Sequence, residues 1–183
     1  IRDRSNPLSD IKCPKSRKKQ IPVRALTVDE QIGLLNVLKT EDIHYGDIML
    51  LSMFTGMRIG ECCALTAEDI NLTDKTINVS KTVSRGEFGN IVINDTKTAA
   101  GTRTLFIGDD VADFLKECLG GRKRGLLFTS SNGRLVTSNQ VNYVYSNVIK
   151  NYDILDSSVY GRVDLHSLRH TYATRCIESG MPA

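Results

Sequence analysis

Apolar positions along this chain keep helical spacing towards both ends and strand-like alternation in the middle. Thr27-Val28-Asp29-Glu30 has the T-x-x-E form of a capping box, and Ile32, Leu34, Leu35 and Leu38 give the helix it opens an apolar face. Residues 46–55 form a second helix, almost wholly apolar, which Gly56 is placed to end. A third should run from about Arg58 to Leu65. Ile77-Asn78-Val79, Ile91-Val92-Ile93 and Leu105-Phe106-Ile107 read as strands, parted by turn chemistry at Ser84-Arg85-Gly86, Gly89-Asn90 and Thr98-Ala99-Ala100-Gly101. Helices resume over about Asp110–Leu119. After Ser138, a candidate N-cap, Val141, Val144, Tyr145, Val148 and Ile149 fall at i, i+3, i+4, i+7 and i+8. The last helix spans roughly His166–Ser179, with Gly180 and Pro182 as stop signals. The pattern predicts an α+β fold, mostly α-helical, with a small three-stranded antiparallel sheet among the helices.

Composition narrows the class. A chain of 183 residues, 40% hydrophobic and 25% charged, has enough apolar material for one core. No apolar run approaches the roughly 20 residues of a membrane span, and the opening Ile1-Arg2-Asp3-Arg4 is unlike a signal peptide. The expectation is a cytoplasmic protein with no membrane partner. The five cysteines lack metal-binding spacing and fit free thiols in a reducing compartment. The net charge of +3 hides an asymmetry: residues 1–24 hold eight Lys/Arg against two Asp, so the remainder is net −3. Asn6-Pro7, Cys13-Pro14 and Ile21-Pro22 make that basic segment extended chain. It is either a solvated linker or a strand that tracks a phosphate backbone.

Three segments carry candidate chemistry. In Thr55-Gly56-Met57-Arg58-Ile59-Gly60-Glu61, Arg58 follows a glycine break at the start of a helix, with Glu61 one turn on to fix its guanidinium. A simple surface ion pair is the other reading. In Thr96-Lys97-Thr98-Ala99-Ala100-Gly101-Thr102-Arg103, a lysine ends one strand and an arginine begins the next. The turn between them either reaches into a groove or is solvated. In His166-Ser167-Leu168-Arg169-His170, two histidines flank an arginine on one helical face. His166 and His170 have the i, i+4 spacing of metal ligands, but a third ligand is missing and Arg169 would repel a cation. An oxyanion or phosphate site suits the trio better.

Taken in order, these segments resemble the tyrosine recombinases, also called phage integrases. That family's hallmarks are Thr-Gly-apolar-Arg-x-x-Glu, a lysine on a β-hairpin, and His-x-x-Arg-His on a late helix. The resemblance covers about residues 6–183 and implies a basic interdomain linker over 1–24 and a helical catalytic domain over 25–183, incomplete at its C-terminus. It implies cutting and rejoining of double-stranded DNA through a 3′-phosphotyrosyl intermediate, with no metal and no cofactor, as in the integrase of a mobile element. Arg58 and Arg169 would clamp the scissile phosphate, Lys97 would protonate the leaving 5′ oxygen, and His166 would handle the proton of the nucleophile. Glu61 would support Arg58, and His170 would pack and position its helix. Lys12, Lys15, Arg17, Lys18, Lys19 and Arg103 would meet DNA. A tetrameric synapse is expected of the full-length protein on DNA, and a monomer of this chain alone.

The family's nucleophilic tyrosine follows a Leu-Gly-His (or Trp) segment after the last helix. None of the six tyrosines here has that place; Tyr172 sits within the His-x-x-Arg helix, at an aromatic packing position. The chain is therefore expected to end before its nucleophile and not to cleave DNA by itself. A non-catalytic helical DNA-binding regulator would explain the basic segment but leave Arg58, Lys97, His166 and Arg169 as coincidences. A type IB topoisomerase-like enzyme would share the catalytic logic.

Overall fold

The computed structural model describes residues 21–86, 90–95 and 101–181. Among them are six α-helices: α1 (Val28–Thr40), α2 (Gly46–Thr55), α3 (Ile59–Ala64), α4 (Asp109–Leu119), α5 (Ser138–Asn151) and α6 (Ser167–Glu178). Five strands lie between α3 and α4: β1 (Ile70–Asn71), β2 (Thr76–Val79), β3 (Lys81–Arg85), β4 (Ile91–Asp95) and β5 (Arg103–Phe106). The predicted α+β class and the helix–sheet–helix order hold. None of the described helices is long and apolar enough to cross a membrane.

Helix α2 is the axle. Ile48, Met49, Leu50, Leu51 and Met53 are all buried, as expected of a helix apolar on every side. Around it the core gathers Leu34 and Leu38 of α1, Cys62 and Cys63 of α3, Ile77 and Val79 of β2, Val141, Tyr145 and Val148 of α5, and Leu168 of α6. The described cysteines are free thiols, and burial pushes that of Cys63 up to about 12.

Several expectations need correction. Ile32 is half exposed and faces away from the core. The inward stripe of α1 is Glu30, Leu34 and Leu38, four residues apart, and Ile32 lies across the helix from it. The N-cap of α5 is Thr137, whose hydroxyl accepts from the Gln140 N–H while the Gln140 side chain accepts from the Thr137 N–H, so Ser138 is the first helical residue.

The three foreseen strands do not form one sheet. A three-stranded antiparallel sheet runs β1-β2-β5, with Ile77 opposite Leu105, while Ile91–Asp95 pairs with Lys81–Arg85 as a separate two-stranded ladder. Strand β3 (Lys-Thr-Val-Ser-Arg) buries only Val83 and so has no apolar alternation to betray it. Ile91 and Ile93, apolar as they are, remain partly exposed on this ladder.

The segment that leads into α1 and helix α6 are sewn together by polar groups. Thr171 on α6 accepts from the Leu26 N–H at 2.9 Å and donates to the Ser167 carbonyl. Arg175, one turn on, reaches the Leu26 carbonyl and the Gln31 side chain, both at 2.9 Å. Residues 22–24 pair with the loop at Arg162. Glu30 is the hub. It receives the Arg24 fork at 2.6 and 2.7 Å, the Thr27 N–H at 2.8 Å and the Asp156 N–H at 2.9 Å. Arg24, counted above with the basic linker, is thus engaged in the fold.

Burial alone would raise the Glu30 carboxyl, but these donors outweigh it and lower it from an ordinary 4.5 to about 2. A depressed carboxylate stabilises the fold fully above its unfolded value and loses that effect as pH falls towards the folded one. We therefore expect stability to decline between about pH 4.5 and 2 through this group. Glu30→Gln should lose on the order of 3 kcal/mol at pH 7. In urea titrations at pH 7, 4 and 3 its midpoint should vary less with pH than the wild type's; parallel curves would place the acid-sensitive group elsewhere.

Candidate active site

The site begins at a sharp turn between α2 and α3. Gly56 has φ +66°, a left-handed conformation that closes α2 through its N–H to the Ser52 carbonyl at 2.9 Å. Two hydroxyls hold the turn: Ser52 donates to the Met57 carbonyl at 2.8 Å, and Thr55 accepts from the Met57 N–H at 3.3 Å. A side chain at position 56 would also strike the ring of Tyr172, whose Cε1 lies 2.9 Å from where a Cβ would stand. Glycine is required there twice over.

The turn delivers Arg58 to the N-cap of α3, with its side chain 56% exposed. Glu61, one turn into the helix, is only 2% exposed. It accepts from the Arg58 backbone N–H at 2.9 Å and from Arg58 Nη1 at 3.0 Å. Arg103, at the start of β5, donates to both oxygens of the same carboxylate, at 3.1 and 2.8 Å. Burial would raise the Glu61 carboxyl, but the bonds from Arg103 and Arg58 leave it below its ordinary value. This is no surface ion pair. Gly60 makes room behind it, since a Cβ there would come within 2.6 Å of the Thr82 hydroxyl and 3.0 Å of the Val83 carbonyl on β3.

The third segment arrives on α6. Arg169 donates through Nη1 to the carbonyl of Gly56, so the glycine turn also aims the second arginine. Partial burial lowers the Arg169 guanidinium, and the charges of Arg58 and Arg103 lower it further. His166, just ahead of α6, is lowered by partial burial, then by His170, Arg169 and Arg58. The His166 and His170 rings meet edge to face, centroids 4.8 Å apart. Asp164 fixes the helix start by accepting from the His166 N–H at 2.9 Å.

Arg58 and Arg103 thus share the Glu61 carboxylate, and the charge of Arg169 is felt beside them, leaving positive charge in surplus. Like charges held so close favour an anion among them. Beside them opens a cleft of about 500 Å³, lined by Arg58, Gly60, Asn139, Asn142, Asp164 and His166 among others. A larger hollow of about 840 Å³ between α1, α2 and α4 holds none of the three segments' residues.

The sequence model of the phage integrase family matches residues 24–183. The chain belongs to the phage integrase family. It is 31% identical over 139 residues to the integrase of Staphylococcus phage L54a, covering 68% of this chain and 37% of that protein. It is 24% identical over 174 residues to the transposase of transposon Tn916 from Enterococcus faecalis, covering 88% of this chain and 43% of that protein. The chain thus spans about two fifths of the length of these relatives. Among solved structures, the Tn1549 transposon integrase in complex with a circular intermediate DNA superposes with a TM-score of 0.78 at 22% identity, over 91% of this chain and 57% of that one. A lambda integrase tetramer bound to a Holliday junction gives 0.61 at 19% identity, over 90% and 45%.

Of the residues singled out by sequence, Arg58, Glu61, Arg103, His166 and Arg169 converge in this family member, with His170 beside His166. Lys97, Lys12, Lys15, Arg17, Lys18 and Lys19 lie outside the described residues. Sequence reasoning missed the Gly56 carbonyl as the anchor of Arg169, and Asn139 and Asn142 as cleft walls. Neither asparagine has a motif to mark it. The pairing of Arg103 with Glu61 was also missed, because 42 positions part them in sequence.

The Gly56–Tyr172 contact predicts a measurable coupling. Gly56→Ala should destabilise the domain by about 2 kcal/mol or more, through a left-handed alanine and the clash with the ring. In a Tyr172→Ala background the same substitution should lose only its conformational part, about 1–2 kcal/mol. Equal losses in both backgrounds, measured by urea unfolding, would mean that the ring does not press on Gly56.

Proposed function

We propose that this chain is the catalytic domain of a site-specific DNA recombinase, the integrase of a mobile element acting in the bacterial cytoplasm. The observation that carries the reading is that Arg58 and His166 line one cleft, with Arg169 held beside them on the Gly56 carbonyl and a buried Glu61 fixing the first arginine. The names of its relatives, an integrase and a transposase, support it. A regulator that only binds DNA has no use for a buried carboxylate that orients guanidiniums.

In this reading the substrate is double-stranded DNA, and the reaction is two transesterifications at one phosphate. A tyrosine oxygen, supplied by the longer protein, attacks phosphorus, and the bond to the 5′ oxygen breaks. A 3′-phosphotyrosyl bond is formed and a 5′-hydroxyl released. Arg58 and Arg169 hold the non-bridging oxygens as negative charge builds on them. His166, whose proton affinity is lowered by partial burial and by His170, takes the tyrosine proton. Lys97 gives a proton to the departing 5′ oxygen. Rejoining runs the same steps backwards with a new 5′-hydroxyl. Lys12, Lys15, Arg17, Lys18 and Lys19 follow the phosphate backbone, and His170 steadies His166. The full-length protein works as a tetramer on paired DNA sites; the lambda integrase tetramer on a Holliday junction is a precedent.

The clamp and the proton donor act on different atoms and can be separated in the full-length recombinase. Arg58→Ala or Arg169→Ala should slow cleavage on the order of a hundred- to a thousandfold, the effect of losing one preorganised donor. Lysine should not fully rescue either position, because a point charge lacks the two-pronged fork. Lys97→Ala should recover on a duplex with sulfur in place of the 5′ bridging oxygen, a leaving group that needs little protonation, whereas the arginine variants should stay slow. Equal impairment of Lys97→Ala on both duplexes would make Lys97 a DNA contact instead of the proton donor.

A further inference from the structure

Arg103 was expected on DNA, yet its guanidinium is turned inwards. Nη1 and Nη2 each donate to an oxygen of Glu61, at 3.1 and 2.8 Å, and Nη1 also reaches the Gly101 carbonyl at 3.3 Å. Its side chain is 25% exposed, against 56% for Arg58. An ionised carboxylate offers about four acceptor positions. At Glu61 all four are taken: two by Arg103, one by Arg58 Nη1 and one by the Arg58 backbone N–H.

We infer that Arg103 is a positioning residue that keeps Arg58 available to a phosphate by occupying and neutralising Glu61. The inference rests on the reading of Arg58 as a phosphate clamp. Glu61 and Arg58 alone would form a neutral pair, and a fork–fork grip would draw both terminal nitrogens of Arg58 onto the carboxylate. With Arg103 on both oxygens, Arg58 keeps a single side-chain bond to Glu61. The rest of its guanidinium faces outwards, and the three groups together carry one net positive charge. Glu61 then orients Arg58 without cancelling it. Arg103 opens β5, and its fork also ties Gly101, two residues ahead of it, to the base of the clamp.

The test is single-turnover cleavage by the full-length recombinase on a duplex carrying its own crossover site, with duplex affinity measured in parallel. Arg103→Ala should slow cleavage about a hundredfold, comparable to loss of a preorganised donor, while duplex affinity stays within about threefold. Arg103→Lys should fall between the two, restoring charge without the fork. The decisive variant is Arg103→Ala combined with Glu61→Gln. Removing the carboxylate charge frees Arg58, so the double variant should cleave at least about tenfold faster than Arg103→Ala alone. A double variant as slow as Arg103→Ala, or slower, overturns the inference. So does an Arg103→Ala protein that cleaves normally at saturating duplex but loses affinity and about one unit of salt dependence, the behaviour of a direct phosphate contact. If Arg103→Ala does not fold, Arg103→Gln with and without Glu61→Gln makes the same comparison with the hydrogen-bonding capacity kept. Arg58→Ala, run alongside, separates the two readings. Normal cleavage by Arg58→Ala refutes the clamp itself, whereas a slow Arg58→Ala beside a normal Arg103→Ala refutes only the role given to Arg103.

Discussion

A single buried carboxylate organises the site. Glu61 is cut off from water and survives as an anion only because two arginines and a backbone N–H saturate it. That requirement sets geometry. It fixes where α3 begins, which way Arg58 leaves the helix, and how close the first residue of β5 must come to a helix that precedes it by 42 positions. A buried charge is weak evidence for stability, since an apolar replacement of the same shape often serves as well. Its value here is directional: it holds the guanidiniums of Arg58 and Arg103 in one place.

The second fixed point is Gly56. Its left-handed backbone ends α2, its bare Cα accepts the Tyr172 ring, and its carbonyl takes a hydrogen bond from Arg169. One residue thereby relates the placement of Arg169 to that of Arg58, which leaves the same turn two residues later. The tie between α6 and the start of α1, through Thr171 and Arg175, keeps the Arg169 helix from sliding along α2. Together these contacts hold the positively charged groups of the site in one arrangement.

Much of this was legible in the sequence because its causes are local. The Thr27–Glu30 capping box, the apolar run 46–55 closed by Gly56, and the i, i+3, i+4 pattern of Val141, Val144 and Tyr145 are decided within a few residues, and each element appears where it was expected. The strand pairing was not legible. Lys81–Arg85 has one buried residue, and the apolar Ile91 and Ile93 lie on a partly exposed ladder, so hydrophobic alternation pointed to the wrong partners. At the site, motif spacing brought out Arg58, Glu61, His166 and Arg169. What escaped it were relations made by tertiary approach: Arg103 turning to Glu61, Arg169 reaching the Gly56 carbonyl, and Asn139 and Asn142 walling the cleft.

The central claim is that Arg58 and Arg169, from segments more than a hundred positions apart, grip one phosphate as a unit. The most direct measurement is a double-mutant cycle on cleavage by the full-length recombinase, comparing Arg58→Ala, Arg169→Ala and the combination under single-turnover conditions. Groups that act as a unit are strongly non-additive, so the double variant should be within about tenfold of the slower single variant. A double variant whose loss equals the product of the two single losses would mean that the arginines act at independent places, and would contradict the account.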